Sequence, residues 1–177
     1  MCVRWILILF LLLAATPALP ASGSTYAKPE FGFVAQVPDG WQIYAEREND
    51  DQFIVSFGLP SVWSEVEQQD IENAVSVTAY RRDTLDELSD LVEFETQRVA
   101  DILVSREEVP AEIGRAFIVV TNIRGLQYKT LTTCHFANGV GYVIAFTATE
   151  GTYDLNVDKY RRFLKDLSFE SLTEESP

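Results

Sequence analysis

The chain has 177 residues, room for one domain and little more, and its 47% hydrophobic and 12% aromatic content is enough to close a core. Acidic residues number 27 against 14 basic ones, a formal charge of −13. A surface of that sign repels phosphate backbones and anionic headgroups, which argues against nucleic acid as a partner and leaves cations or basic protein patches.

Met1-Cys2-Val3-Arg4 carries one positive charge, Trp5 to Ala15 is an unbroken apolar run, and Thr16 to Gly23 brings helix breakers and small residues. This is the three-part pattern of a secretory signal peptide, and its apolar run is shorter than the about 20 residues a bilayer span needs. Residues 1–23 therefore read as a signal peptide cleaved after Gly23, with Thr16-Pro17-Ala18 as the alternative site. Cys2 precedes the apolar run, so it is not a lipoprotein acylation cysteine. No later segment is apolar for long enough to anchor the mature chain. The expected location is periplasmic or extracellular, and Cys134, the single cysteine left, has no partner for an intramolecular disulfide.

Residues 24–172 read as one domain and 173–177 as a polar tail. Residues 24–30 look like a flexible lead, and Phe31 to Val37 is strand-like. Val37-Pro38-Asp39-Gly40-Trp41 reads as a turn, because Pro presets φ, Asp bonds its own backbone and Gly takes positive φ. Trp41 to Arg47 and Phe53 to Leu59 are the next strands. A polar connection spans 60–73, with Trp63 inside it and Ser64 and Glu67 placed to cap one helical turn. Ala74 to Arg81 alternates apolar with hydroxyl residues and is a strand. Thr84-Leu85-Asp86-Glu87 reads as a capping box for a long helix whose apolar arc runs from Leu85 to Leu103. Strands follow at Arg115 to Ile123, Leu126 to Phe136 and Val140 to Thr149, the last two joined by the hairpin signal Asn138-Gly139. A closing helix spans Tyr153 to Leu167, with acids near its start and Arg161, Arg162 and Lys165 near its end, in keeping with the helix dipole. The expected fold is α+β: an antiparallel sheet sandwiched by helices, in the order ββββ-α-βββ-α.

Phe31-Gly32-Phe33 leading into Val37-Pro38-Asp39-Gly40-Trp41, the run Gly141 to Ala148, and the last helix ending in Ser168-Phe169 resemble the PsbP-like and DcrB-like group of exported proteins. The resemblance implies the same sandwich and a non-catalytic accessory or binding role. It departs in lacking the lipoprotein cysteine of DcrB-like members and any transit-peptide character, so a photosystem role does not carry over.

The chemistry is sparse. His135 is the one histidine, and Cys134 beside it points to the opposite face of a strand, so the two form no nucleophile–base pair. His135 reads as a surface strand residue and Cys134 as a small core residue. One His and one Cys are too few for zinc; no Gly-rich phosphate loop or calcium loop is present, and no cofactor is expected. Glu95 breaks its local pattern by standing in the apolar arc of the first helix. It is either a ligand-facing or acid–base carboxylate in a pocket beneath that helix, or a structural ion pair, for example with Arg98, or the edge of a water-filled gap. Trp63, flanked by Glu65 and Glu67, is the candidate partner contact, against the reading that its ring folds back over the core. The expected function is an exported, non-enzymatic accessory or binding module acting on a protein or small ligand, with another envelope or secreted protein as partner. The alternative is an acid-dependent hydrolase using Glu95 and a second carboxylate.

Overall fold

Side chains in a strand alternate between two faces, and in this protein the two faces of the main sheet have different chemistry. The computed structural model describes residues 23–123 and 125–170. The signal-peptide reading, up to residue 22, and the polar tail at 173–177 lie outside the described residues. Strands β3 (Gln42–Asn49), β4 (Gln52–Gly58), β7 (Ala74–Tyr80), β8 (Leu103–Val109), β9 (Arg115–Ile123), β10 (Leu126–Ala137) and β11 (Val140–Thr149) form a seven-stranded sheet in the order β3-β4-β7-β11-β10-β9-β8, antiparallel throughout.

One face presents Phe53, Val55, Phe57, Val75, Val77, Ile144 and Phe146, all with no exposed surface. Against it pack helix α2 (Glu150–Lys165) and a small sheet made of β1 (Ser24–Lys28), β2 (Phe33–Val37) and β12 (Leu167–Phe169), in the order β1-β2-β12. Helix α2 buries Tyr153, Val157, Tyr160, Phe163 and Leu164 there. The opposite face carries Ser76, Thr130, Thr132 and Thr147 among its apolar residues. Helix α1 (Leu88–Arg98) covers part of it, closing a second cluster of Tyr80, Leu85, Leu91, Val92, Phe117, Val119, Cys134 and Val143. The expected α+β sandwich is therefore present.

Several expectations are corrected. Residues 24–28 are strand β1, paired in register from Ser24 against Val37 to Lys28 against Phe33, and Lys28 bridges to Glu46 and Glu48 at 2.6 and 2.8 Å. Short, mixed sequence hid it. The connection 60–73 is a small hairpin of β5 (Val62–Ser64) and β6 (Gln69–Ile71), not a helical turn. Helix α1 begins at Leu88, not Thr84: its capping box is made by Glu87 and Asp90, and the Asp90 carboxylate accepts the Glu87 N–H at 3.1 Å. It also ends early. Ile102 closes a 3-10 turn, and 103–109 are the edge strand β8. That strand is rich in charge, which protects a sheet edge but removes the apolar alternation that marks a strand.

The β5–β6 hairpin is seated on the start of α2. Gly151 has no room for a side chain, because a Cβ there would overlap the Ser64 hydroxyl, the Glu67 carboxylate and Val66. Thr152 donates to the Asn73 Oδ1 at 2.9 Å in the same buried joint.

Candidate functional site

Helix α1 is short, and beyond its last turn the hydroxyl-bearing face of the sheet is left partly open. The result is a cavity of about 330 Å³ between α1 and strands β7, β11, β10, β9 and β8. Its walls are Val92, Val99, Phe117, Val119 and Val143, and its floor carries the hydroxyls of Ser76, Thr121, Thr130, Thr132 and Thr147. The hydroxyl oxygens of Thr130 and Thr147 lie 3.2 Å apart across the strand pair. Ile102 and Ile123 stand at the mouth, 41% and 45% exposed. The volume falls at the lower end of the range of about 300–1,000 Å³ for small-molecule sites.

Glu95 lines this cavity and is 7% exposed. Arg98 grips it through two atoms, Nε at 3.1 and 3.0 Å from the two carboxylate oxygens and an Nη at 2.7 Å, while the Tyr80 hydroxyl donates to it at 3.1 Å. The guanidinium is therefore held charged more firmly than usual by its bond to Glu95, and burial together with the Glu95 charge raises the Tyr80 phenol. Glu95 is thus ion-paired with Arg98 and borders the cavity at the same time. Among the described residues that line the cavity, Glu95 is the one carboxylate, so the geometry supplies no second acid for a hydrolytic pair.

Arg106 of β8 also lines the cavity, with its guanidinium carbon 3.6 Å from the Phe117 ring centroid. Sequence reasoning missed it because β8 itself was missed. Cys134 lies on the same face, 1% exposed, and burial, with the Glu95 charge second, pushes its thiol up to about 12. It is not a reactive thiolate in this setting.

His135 points to the other face and is half-buried rather than a surface residue. Phe169 of β12 lies over it with ring centroids 4.4 Å apart, and burial lowers its pKa. The reason is β12, a three-residue strand that sequence patterning did not show.

The structure does not bring Trp63, Glu65 and Glu67 to the cavity. Trp63 does not fold back over the core: it is 50% exposed, and its indole N–H donates to Glu65 at 3.1 Å. Glu67 is turned inward. Its carboxylate bonds the Ser64 hydroxyl, which holds it below the usual carboxylate range, helped by the Thr149 hydroxyl and the backbone N–H groups of Glu67 and Gly151. It thus places its carboxylate beside Gly151 in the first turn of α2, where a negative charge is favoured.

The Glu95–Arg98 pair predicts unequal costs on truncation. Glu95→Ala leaves Arg98, whose side chain is 56% exposed and can turn to water, so the loss is about 1.5–3 kcal/mol, that of hydrogen bonds to a charged group. Arg98→Ala leaves a carboxylate whose side chain is 8% exposed, with Tyr80 alone to answer it, and should cost about 3 kcal/mol or more. Urea unfolding of the two variants and of the double variant checks this. The double variant should be more stable than Arg98→Ala alone; a less stable double variant would show that the pair is not what holds Glu95 in place.

No protein-family model matches the chain, and no curated protein matches its sequence. Solved structures do. A protein from Bacteroides thetaiotaomicron aligns with a TM-score of 0.53 at 15% identity over 89% of this chain, which spans about half of that protein's length (52%). A Pseudomonas aeruginosa protein of unknown function, described as a candidate regulator, aligns with a TM-score of 0.51 at 13% identity, over 89% of this chain and 99% of its own. The solution structure of cyanobacterial PsbP from Synechocystis sp. PCC 6803 aligns with a TM-score of 0.51 at 11% identity, over 89% and 98%. At these identities the likeness is one of fold, and at that level the PsbP-like resemblance holds.

Proposed function

We propose that this chain is an exported, non-enzymatic binding module that holds a small, mainly apolar ligand between α1 and the sheet. The cavity carries the reading: it is walled by apolar side chains, floored by hydroxyls that can orient a ligand, and bordered by a charge pair that is already satisfied. Export is supported by the signal-peptide pattern of residues 1–23. No helix among the described residues is long and apolar enough to cross a membrane. The hydrolase alternative has less support, since Glu95 is bound up with Arg98 and Tyr80.

The β5–β6 hairpin favours a second, compatible contact with another envelope or secreted protein. Trp63 and Val66 are 50% and 68% exposed on it, beside Glu65. An aromatic anchor next to an acid suits a basic protein surface.

Three outcomes are expected. The protein recovered from outside the cytoplasm should have an intact mass that begins at Ser24; a full-length mass would remove the export reading. A neutral naphthylamine dye should brighten on binding the native protein, and Ala145→Phe, which fills the cavity from β11, should abolish the signal without lowering the melting temperature. Unchanged dye binding by a folded Ala145→Phe would place the ligand site elsewhere. Trp63→Ala should weaken capture of a protein partner from the native envelope fraction with melting unchanged; retained capture would exclude the hairpin contact.

A further inference from the structure

We propose that the cavity takes a small amphiphilic anion, with an aliphatic or aromatic body between α1 and the sheet and a compact oxyanion head, carboxylate or phosphate, on the Arg106 guanidinium. This rests on the reading of the cavity as a ligand site and names the class of ligand.

The local charge decides it. Three residues with permanent charge line the cavity: Glu95, Arg98 and Arg106. The first two neutralise each other. Arg106 makes no ion pair among the described residues. Its neighbour Glu108, which could have answered it, is held in a two-point grip by Arg115 at 2.9 and 2.8 Å. The site therefore carries one uncompensated positive charge on a protein whose net charge is −13.

Geometry adds the second argument. Arg106 lies in register with Val119 on the cavity side of the sheet, half-buried, and stacked 3.6 Å from the Phe117 centroid. Stacking on an aromatic ring fixes the plane of a guanidinium and leaves its N–H edge free for in-plane hydrogen bonds. Two oxygens of one oxyanion match that edge. The apolar walls and the exposed Ile102 and Ile123 at the mouth then account for the rest of the molecule, which an inorganic anion would leave unused.

The acidic surface does not overrule this. Charges farther than about 8 Å are largely screened at physiological ionic strength, whereas a guanidinium in contact with its anion in a partly dehydrated site is screened little.

The test is calorimetric titration of the folded mature protein with decanoate, decyl phosphate, decanol and inorganic phosphate, at pH about 8 and about 0.15 M salt, where both acids are ionised. At least one of the two anionic amphiphiles should bind about 10-fold or more tighter than decanol, the difference expected for hydrogen bonds to a charged group. The tighter one identifies the head. Arg106→Gln should bring the anions down to the level of decanol and leave decanol unchanged, and Arg106→Lys, which keeps the charge and loses the fork, should retain part of the preference. If decanol binds as well as both anions, or if folded Arg106→Gln keeps the preference, the anion proposal is wrong while the cavity remains a ligand site. Inorganic phosphate binding as tightly as decyl phosphate also overturns it, because the apolar body would then contribute nothing. If none of the four binds, both the proposal and the reading beneath it fail.

Discussion

Everything in this molecule depends on the unequal covering of one sheet. Face-to-face burial of β4, β7 and β11 against α2 and the β1-β2-β12 sheet removes a continuous set of Phe, Val, Ile and Tyr side chains from water. Each large apolar side chain so buried is worth about 1.5–3 kcal/mol. Tyr160 is fully buried there, and its hydroxyl donates to the Ile144 carbonyl at 2.7 Å while lying 3.1 Å from the Thr133 hydroxyl, which can donate in return. Tyr142 does the same job toward the small sheet through the Phe31 carbonyl. These bonds allow tyrosines to enter a core without leaving an unpaired group, which would cost about 1–3 kcal/mol.

The other face is held by less. Helix α1 has 11 residues and buries two aliphatic side chains, Leu91 and Val92, together with Glu95; α2 has 16 residues and buries five apolar ones. Isolated helices of about 12 residues or fewer are marginal in water, so packing must hold α1 in place. The Glu95–Arg98–Tyr80 cluster and the contacts of Tyr80 with Phe94 supply part of that hold. Helix α1 is thus the more lightly anchored of the two helices. The same shortness that limits its anchoring creates the cavity.

Much of the architecture was legible because alternation is strong in the central strands. Val75, Val77 and Ala79 against Ser76 and Thr78 specify both the strand and the difference between its faces, and Asn138-Gly139 specifies the β10–β11 hairpin. Periphery was not legible. Strands β1, β5, β6 and β12 are three to five residues long, and β8 is charged, so their identity comes from the edges they pair with rather than from their own pattern. The site follows the same division. Glu95 could be found because a carboxylate in an apolar arc violates a local rule. Arg106 could not, because a lone arginine in a charged run violates nothing; its role depends on register with Val119 and on Phe117, both distant in sequence.

Glu67 is set apart from the acids around it by the fold. Its neighbours in sequence, Glu65 and Asp70, are exposed acids, and composition alone places it with them. In the fold its carboxylate lies against Gly151 in the first turn of α2, whose own cap residue, Thr149, makes no side-chain cap bond. A hairpin far away in the chain thus brings a negative charge to the start of the helix, and its close approach leaves no room for a side chain at Gly151. Ser64 is buried, and Trp63, the residue before it on the strand, is turned out together with its cross-strand partner Asp70. The exposure of Trp63 thus goes with the seating of the hairpin on α2: the strand that turns Ser64 toward Gly151 turns its aromatic neighbour to the surface.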